Sequence, residues 1–186
     1  MNDPRDDQEQ PLTFTLNATP VVVSVKPGAR LLEVLRDTGQ VPSVREACGE
    51  GACGSCTVLL DGQPVVSCLV LAQSVEGQSV VTLEGLRQDA SHPLLDSLAR
   101  HQALGCGACL PGLVINAVAL LQAVQHPTRA QVKDALSGVM CRCQSPGRVV
   151  EAVMDTASVV QRRNGETTES LPAALVSMAL SSEEEP

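Results

Sequence analysis

The chain has almost no aromatic side chains: no tryptophan, no tyrosine and a single phenylalanine, Phe14, among 186 residues. Recognition by stacking bases or sugars on aromatic rings is therefore excluded as a main mode. It also lacks an excess of positive charge. The formal net charge of −8 argues against a nucleic-acid or anionic-membrane surface. No long apolar run is present, because residues 110–124 are interrupted by Pro111, Gly112, Asn116 and Gln122. That stretch is too short and too polar to span a bilayer, so no membrane insertion is expected. The opening residues show no basic region, apolar segment or twin arginine, and a cytoplasmic location is the expectation. Asn17-Ala18-Thr19 matches a glycosylation sequon, read as chance in that setting.

The charge is concentrated at the ends. Residues 1–10 carry four acids and one base, residues 164–186 five acids and no base, and residues 11–163 sum to zero. This pattern reads as acidic tails, 1–11 and 164–186, on a neutral body. Residues 171–180 can form a short docking helix. The body holds all eight cysteines. In a chain of this length without a secretory signal, such a count points to metal or redox chemistry rather than disulfides.

Hydrophobic periodicity divides the body. Residues 12–16 and 21–25 alternate around a turn at 17–20, giving a β-hairpin. Leu31, Leu32, Val34 and Leu35 suit a short helix stopped by Gly39. Residues 57–60 and 64–67 flank Asp61-Gly62, a favoured two-residue turn, and 80–83 reads as one more strand. Four helices are then expected. The first is started by Ser91 and Pro93, the second covers 113–124, the third is capped by Thr128 with Gln131 and ended by Gly138, and the fourth is opened by Ser145-Pro146. A boundary near residue 85 gives domains 12–85 and 86–163.

The first cysteine group is Cys48-x4-Cys53-x2-Cys56 followed by Cys68, the plant-type 2Fe–2S spacing. Gly49, Gly51, Ala52, Gly54 and Ser55 fill the loop, and small residues let backbone N–H groups turn toward anionic sulfur. Gly49-x-Gly51-x-x-Gly54, with Glu76 downstream, also fits a dinucleotide fingerprint, but the loop enters a strand rather than a helix. The second group is Cys106-x2-Cys109 with Cys141-x-Cys143. Its spacing alone permits zinc or 2Fe–2S, with the C-x-C pair favouring iron–sulfur. His92, His101 and His126 have no ligand spacing to the cysteines.

Several segments together resemble the iron–sulfur subunit of the molybdenum hydroxylases, the xanthine dehydrogenase and aldehyde oxidase family. They are the run from Cys48 to Val58, Ser67-Cys68-Leu69, Glu84-Gly85-Leu86, Cys106-Gly107-x-Cys109-x-Pro111-Gly112 and Ala135-Leu136-Ser137-Gly138-x-x-Cys141-Arg142-Cys143. The resemblance implies an α+β fold, with an N-terminal β-grasp ferredoxin-like domain followed by a C-terminal four-helix-bundle 2Fe–2S domain. It implies two 2Fe–2S clusters, one on Cys48, Cys53, Cys56 and Cys68, the other on Cys106, Cys109, Cys141 and Cys143. By the same likeness Cys143 is a pterin contact, and the chain is a non-catalytic electron-transfer subunit. The partners so implied are a large molybdenum-binding catalytic subunit carrying molybdopterin and a flavin (FAD) subunit or cytochrome as acceptor. The reaction is hydroxylation of an aldehyde or N-heterocycle. The departures lie at the second group: Gly105 stands where the family has a pterin-binding Gln, Ala108 where Phe is common, Leu110 where Thr is usual, and Gln144-Ser145-Pro146 where Thr-Gly-Tyr is usual. Two clusters of about −2 each shift the neutral body to roughly −4, and Arg45 and Arg142 are the expected offsetting cations.

Overall fold

The computed structural model describes residues 8–38, 40–88, 92–143 and 145–166. Most of the acidic ends (residues 1–7 and 167–186, with the segment 171–180), together with Gly39, Ser91 and Gln144, lie outside the described residues. The fold is α+β. Five strands, β1 (Gln10–Leu16), β2 (Thr19–Val25), β3 (Thr57–Leu60), β4 (Gln63–Val66) and β5 (Ser79–Val81), form a mixed sheet in the order β2-β1-β5-β3-β4. β1 and β5 are parallel and the other neighbours antiparallel. Helix α1 (Leu31–Asp37) buries Leu31, Leu32, Val34 and Leu35 in the core that Leu12, Phe14, Leu16, Val58 and Val80 share.

The first hairpin is tighter than its composition suggests. Asn17 and Ala18 alone make the turn, at φ +50° and +65°, as a two-residue turn with left-handed central residues requires. Thr19 and Pro20 are already in β2, where an edge strand tolerates a proline because its outer N–H has no ladder partner to lose. Asp61 and Gly62, at φ +48° and +80°, make the second turn at the expected place. β4 starts one residue early, and Ser67–Leu69 is a 3-10 turn rather than strand.

β5 ends two residues sooner than its apolar run. Thr82 donates its backbone N–H to Asn17 Oδ1 (2.9 Å) and its carbonyl accepts from the Leu86 N–H (3.3 Å), leaving neither backbone group for a ladder, while its hydroxyl donates to Glu84 Oε2 (2.6 Å). Helix α2 (Leu83–Gln88), absent from the sequence reading, follows at once. Glu84 also accepts from the Ser43 N–H (2.8 Å) and hydroxyl (2.6 Å), so one carboxylate joins β5 to the segment leading into the first cysteine loop. Burial raises the Glu84 pKa, but the hydrogen bonds from Ser43 and Thr82 outweigh it and hold the group below the ordinary carboxylate value.

Four further helices follow: α3 (Pro93–Arg100), α4 (Leu110–Ala123), α5 (Arg129–Leu136) and α6 (Pro146–Glu166). His92 caps α3, its Nδ1 accepting from Leu94 N. The Thr128–Gln131 capping box forms as expected. Gly138 does not close α5 in a left-handed conformation; Ser137, with φ −64°, is the capping residue. α4 begins earlier than its apolar run because Cys109 and Pro111 fit its first turn. α3 packs on α6 and α4, and α5 packs on α4 and α6, around Leu94, Leu98, Val114, Ile115, Val118, Val150 and Val153. β3 is the wall between the two cores. Its alternation sends Val58 into the sheet core and Leu59 into the helical one, where α4 packs on it.

Asn17 serves both the turn and the buried network, since its Nδ2 also donates to Thr82 Oγ1 at 3.0 Å. Asn17→Ala should lower unfolding free energy by about 2–3 kcal/mol in urea titrations, combining lost buried hydrogen bonds with a left-handed alanine. Asn17→Gly should recover only the backbone share, on the order of 1 kcal/mol.

Candidate metal centres

The loop after Cys48 turns through three glycines at positive φ: Gly49 (+69°), Gly51 (+78°) and Gly54 (+69°). This winding aims backbone N–H groups at sulfur. The Glu50 N–H, then that of Cys53, the Cys53 side chain and the Ala52 N–H stabilise the Cys48 thiolate, lowering its pKa to about 7 against a small opposing burial penalty. The other two thiols lie deeper. Cys56 and Cys68 are buried, and Cys68 is pushed up chiefly by desolvation and then by Cys56 beside it, with the Gly51 N–H opposing. Ser67 anchors this end, its hydroxyl donating to the Cys56 carbonyl at 2.8 Å. The geometry thus pairs Cys48 with Cys53 and Cys56 with Cys68 across one loop.

In the second group, the sulfurs of Cys109, Cys141 and Cys143 all lie within 4.8 Å of one another. Cys141 and Cys143 are 3.8 Å apart. The Cys106 thiol stands outside this trio, although its backbone N–H donates to Cys143 Sγ at 3.3 Å. Burial first, then the neighbouring thiols of Cys141 and Cys143, push the Cys109 pKa up to about 12. Such a crowd of sulfur becomes anionic when a cation supplies the compensating charge. Gly105 (φ +57°) and Gly107 (φ +81°) flank Cys106 in conformations that glycine favours. None of the eight cysteines is in a disulfide, and an all-sulfur donor set with inward N–H groups fits an anionic iron–sulfur cluster.

The two groups touch through backbone. Met140 N donates to the Cys53 carbonyl at 3.0 Å, linking a residue of the first group to the neighbour of Cys141. Around that bond a Cβ on Gly54 would overlap the Gly138 carbonyl oxygen, and one on Gly112 the Gly54 carbonyl oxygen. In the sequence Gly112 stands only as part of a family-like motif, and neither the Met140 N–H nor Arg30, whose Nη1 donates to the Gly49 carbonyl at 3.0 Å, is marked at all. Arg45 and Arg142, the expected cations, are exposed. Only the glycine richness near the cysteines hinted at such close approach. Glu76, the apparent dinucleotide acid, instead accepts from the Thr13 N–H at 2.8 Å, and the glycine loop enters β3. His92 caps a helix and His101 lies 3.5 Å from Asp155, so neither belongs to the cysteine sites.

Comparisons with known proteins agree with this chemistry. Residues 4–95 match a family described as a 2Fe-2S iron-sulfur cluster binding domain, and residues 82–154 one described as a 2Fe-2S binding domain. The chain is similar to the nicotine 6-hydroxylase small subunit of Paenarthrobacter nicotinovorans, 36% identical over 165 residues, covering 89% of this chain and 100% of that one. It is also similar to the xanthine dehydrogenase iron-sulfur-binding subunit of Escherichia coli O157:H7, 37% identical over 145 residues, covering 76% and 90%. The structure resembles a chain of quinoline 2-oxidoreductase from Pseudomonas putida 86 with a TM-score of 0.79 and 38% identity, covering 87% of this chain and 100% of that one.

Gly112 lies in a helix, where alanine would ordinarily be preferred. Gly112→Ala should nonetheless destabilise the protein by about 1–3 kcal/mol, because its Cβ meets the Gly54 carbonyl. Gly147→Ala, with its nearest atom 3.5 Å away, should be close to neutral in the same denaturation experiment.

Proposed function

The chain belongs to the iron–sulfur small subunits of the molybdenum hydroxylase family, and from that premise we propose that it carries two 2Fe–2S clusters and relays electrons out of a partner's molybdenum centre. Cys48, Cys53, Cys56 and Cys68 hold the cluster nearer the acceptor. Cys106, Cys109, Cys141 and Cys143 hold the one nearer the molybdenum, with Cys143 also meeting the pterin. The single observation that carries this reading is the direct backbone bond between the groups, Met140 N–H to Cys53 C=O. When bound, each cluster supplies a one-electron couple. The chain's own part is to fix the sulfurs, aim N–H groups at them and exclude water from Cys56, Cys68 and Cys109.

The chemistry of the complex then lies in a large molybdopterin-bearing subunit that hydroxylates an aldehyde or N-heterocycle. The relatives described above are named for nicotine, xanthine and quinoline, all N-heterocycles. A flavin subunit or cytochrome completes the path. The division we propose runs through α2, with a β-grasp ferredoxin-like domain at 12–85 and a four-helix bundle of α3–α6 at 86–163. It is supported by the two family matches meeting in residues 82–95 and by the two separate cores. Residues 1–11 and 164–186 are acidic tails in this division. The complex is assigned to the cytoplasm; among the described residues no helix is long and apolar enough to cross a membrane.

Anaerobically purified chain should contain about four iron and four acid-labile sulfide with no zinc, two clusters' worth of thiolate ligands. Cys141→Ala should drop iron to about two per chain. Two iron with one zinc in the unmutated chain would replace the relay by a one-cluster carrier with a structural metal.

A further inference from the structure

Arg30 has no role in the cysteine spacing, yet its backbone is held firmly beside the first group. Its N–H donates to Glu33 Oε2 at 3.0 Å, and it bridges to Leu71, three residues past Cys68. Leu31 N adds a bond to the Val70 carbonyl at 2.8 Å. From this anchor the guanidinium reaches the Gly49 carbonyl at 3.0 Å.

The Gly49 carbonyl and the Glu50 N–H belong to one trans peptide and so point in opposite directions. A carbonyl drawn outward to Arg30 therefore turns the Glu50 N–H inward, toward the Cys48 sulfur that it hydrogen-bonds. The result is a continuous chain from guanidinium through carbonyl and amide to sulfur, in which each hydrogen bond polarises the next. A competing acid is close: Glu46 Oε1 lies 3.8 Å from where a Gly49 Cβ would stand. Glu46 has its own cation, Arg36, at 2.6 Å, so the Arg30 charge stays directed at the peptide.

We propose that Arg30 is a positioning residue for the first cysteine group, orienting the Gly49–Glu50 peptide onto Cys48 and raising the reduction potential of the cluster held there. The inference rests on the assignment of Cys48, Cys53, Cys56 and Cys68 to a 2Fe–2S cluster. Reduction adds a negative charge, which a cation and an inward N–H stabilise more than they stabilise the oxidised form.

The test is an anaerobic potentiometric titration of the full chain followed by electron paramagnetic resonance. The first cluster's signal is identified as the one that Cys48→Ala removes. Arg30→Leu should cut the reduced-to-oxidised ratio of that cluster at fixed poise by threefold to tenfold. That is a move of about 30–60 mV to more negative potential, at 59 mV per tenfold. The other cluster's potential and the iron content should stay at wild-type values, and Arg30→Lys should recover at least half of the shift. If the leucine variant loses iron, Arg30→Gln decides: a more negative potential supports the role and an unchanged one overturns it. An unchanged potential in Arg30→Leu, or equal shifts in both clusters, overturns it too. A wild-type chain without a reducible first cluster would instead remove the cluster assignment itself.

Discussion

One backbone hydrogen bond, from Met140 N to the Cys53 carbonyl, is the constraint around which the rest is arranged. It requires two loops from separate cores to meet main chain to main chain, which no pair of ordinary side chains would allow. Gly54 and Gly112 supply the clearance, since a Cβ on either would overlap a carbonyl oxygen of the opposing segment. The consequence is that the neighbour of Cys141 is bonded directly to a cysteine of the other group. In the proposed function that contact is a directly bonded route between the two groups, and it costs the protein side-chain packing at the junction.

The surrounding elements hold that junction still. β3 leaves the first cysteine loop with Val58 and Leu59 committed to opposite cores, so the sheet and the helices cannot slide independently. α4 is capped at its N-terminus by Cys109 and lies on β3, fixing a thiol of the second group beside the strand that leaves the first. The Glu84 carboxylate, bonded to Ser43 and Thr82, ties the approach to Cys48 to the end of β5. Rigidity here serves electron transfer, because small displacements of ligands or of the N–H groups on them change a cluster's potential.

Features written in local sequence were legible. The Asp61-Gly62 turn, the Thr128–Gln131 capping box, the apolar character of α4 and the Cys48–Cys56, Cys106–Cys109 and Cys141–Cys143 spacings each depend on residues a few positions apart. Features that depend on distant partners were not. β5 stops short because Asn17, 65 residues away, takes the Thr82 N–H. The first hairpin is tight because Asn17 and Ala18 adopt left-handed conformations, with Asn17 held in place by its bonds to the distant Thr82. Arg45 and Arg142 lie close to ligands in sequence, whereas Arg30 reaches the loop through the fold. The C-x-C spacing alone permits zinc as well as iron–sulfur, and it is the match of residues 82–154 to a 2Fe-2S binding domain, with Cys109, Cys141 and Cys143 brought together, that favours iron–sulfur.

The central claim is that this single small chain holds two separately reducible centres in series. Coulometric reduction of the anaerobic full chain, followed by visible absorption, tests it most directly. Uptake of about two electrons per chain in two one-electron steps, one for each four-thiolate group, is the expected result. Uptake of a single electron per chain, with the second group spectroscopically silent, would contradict it.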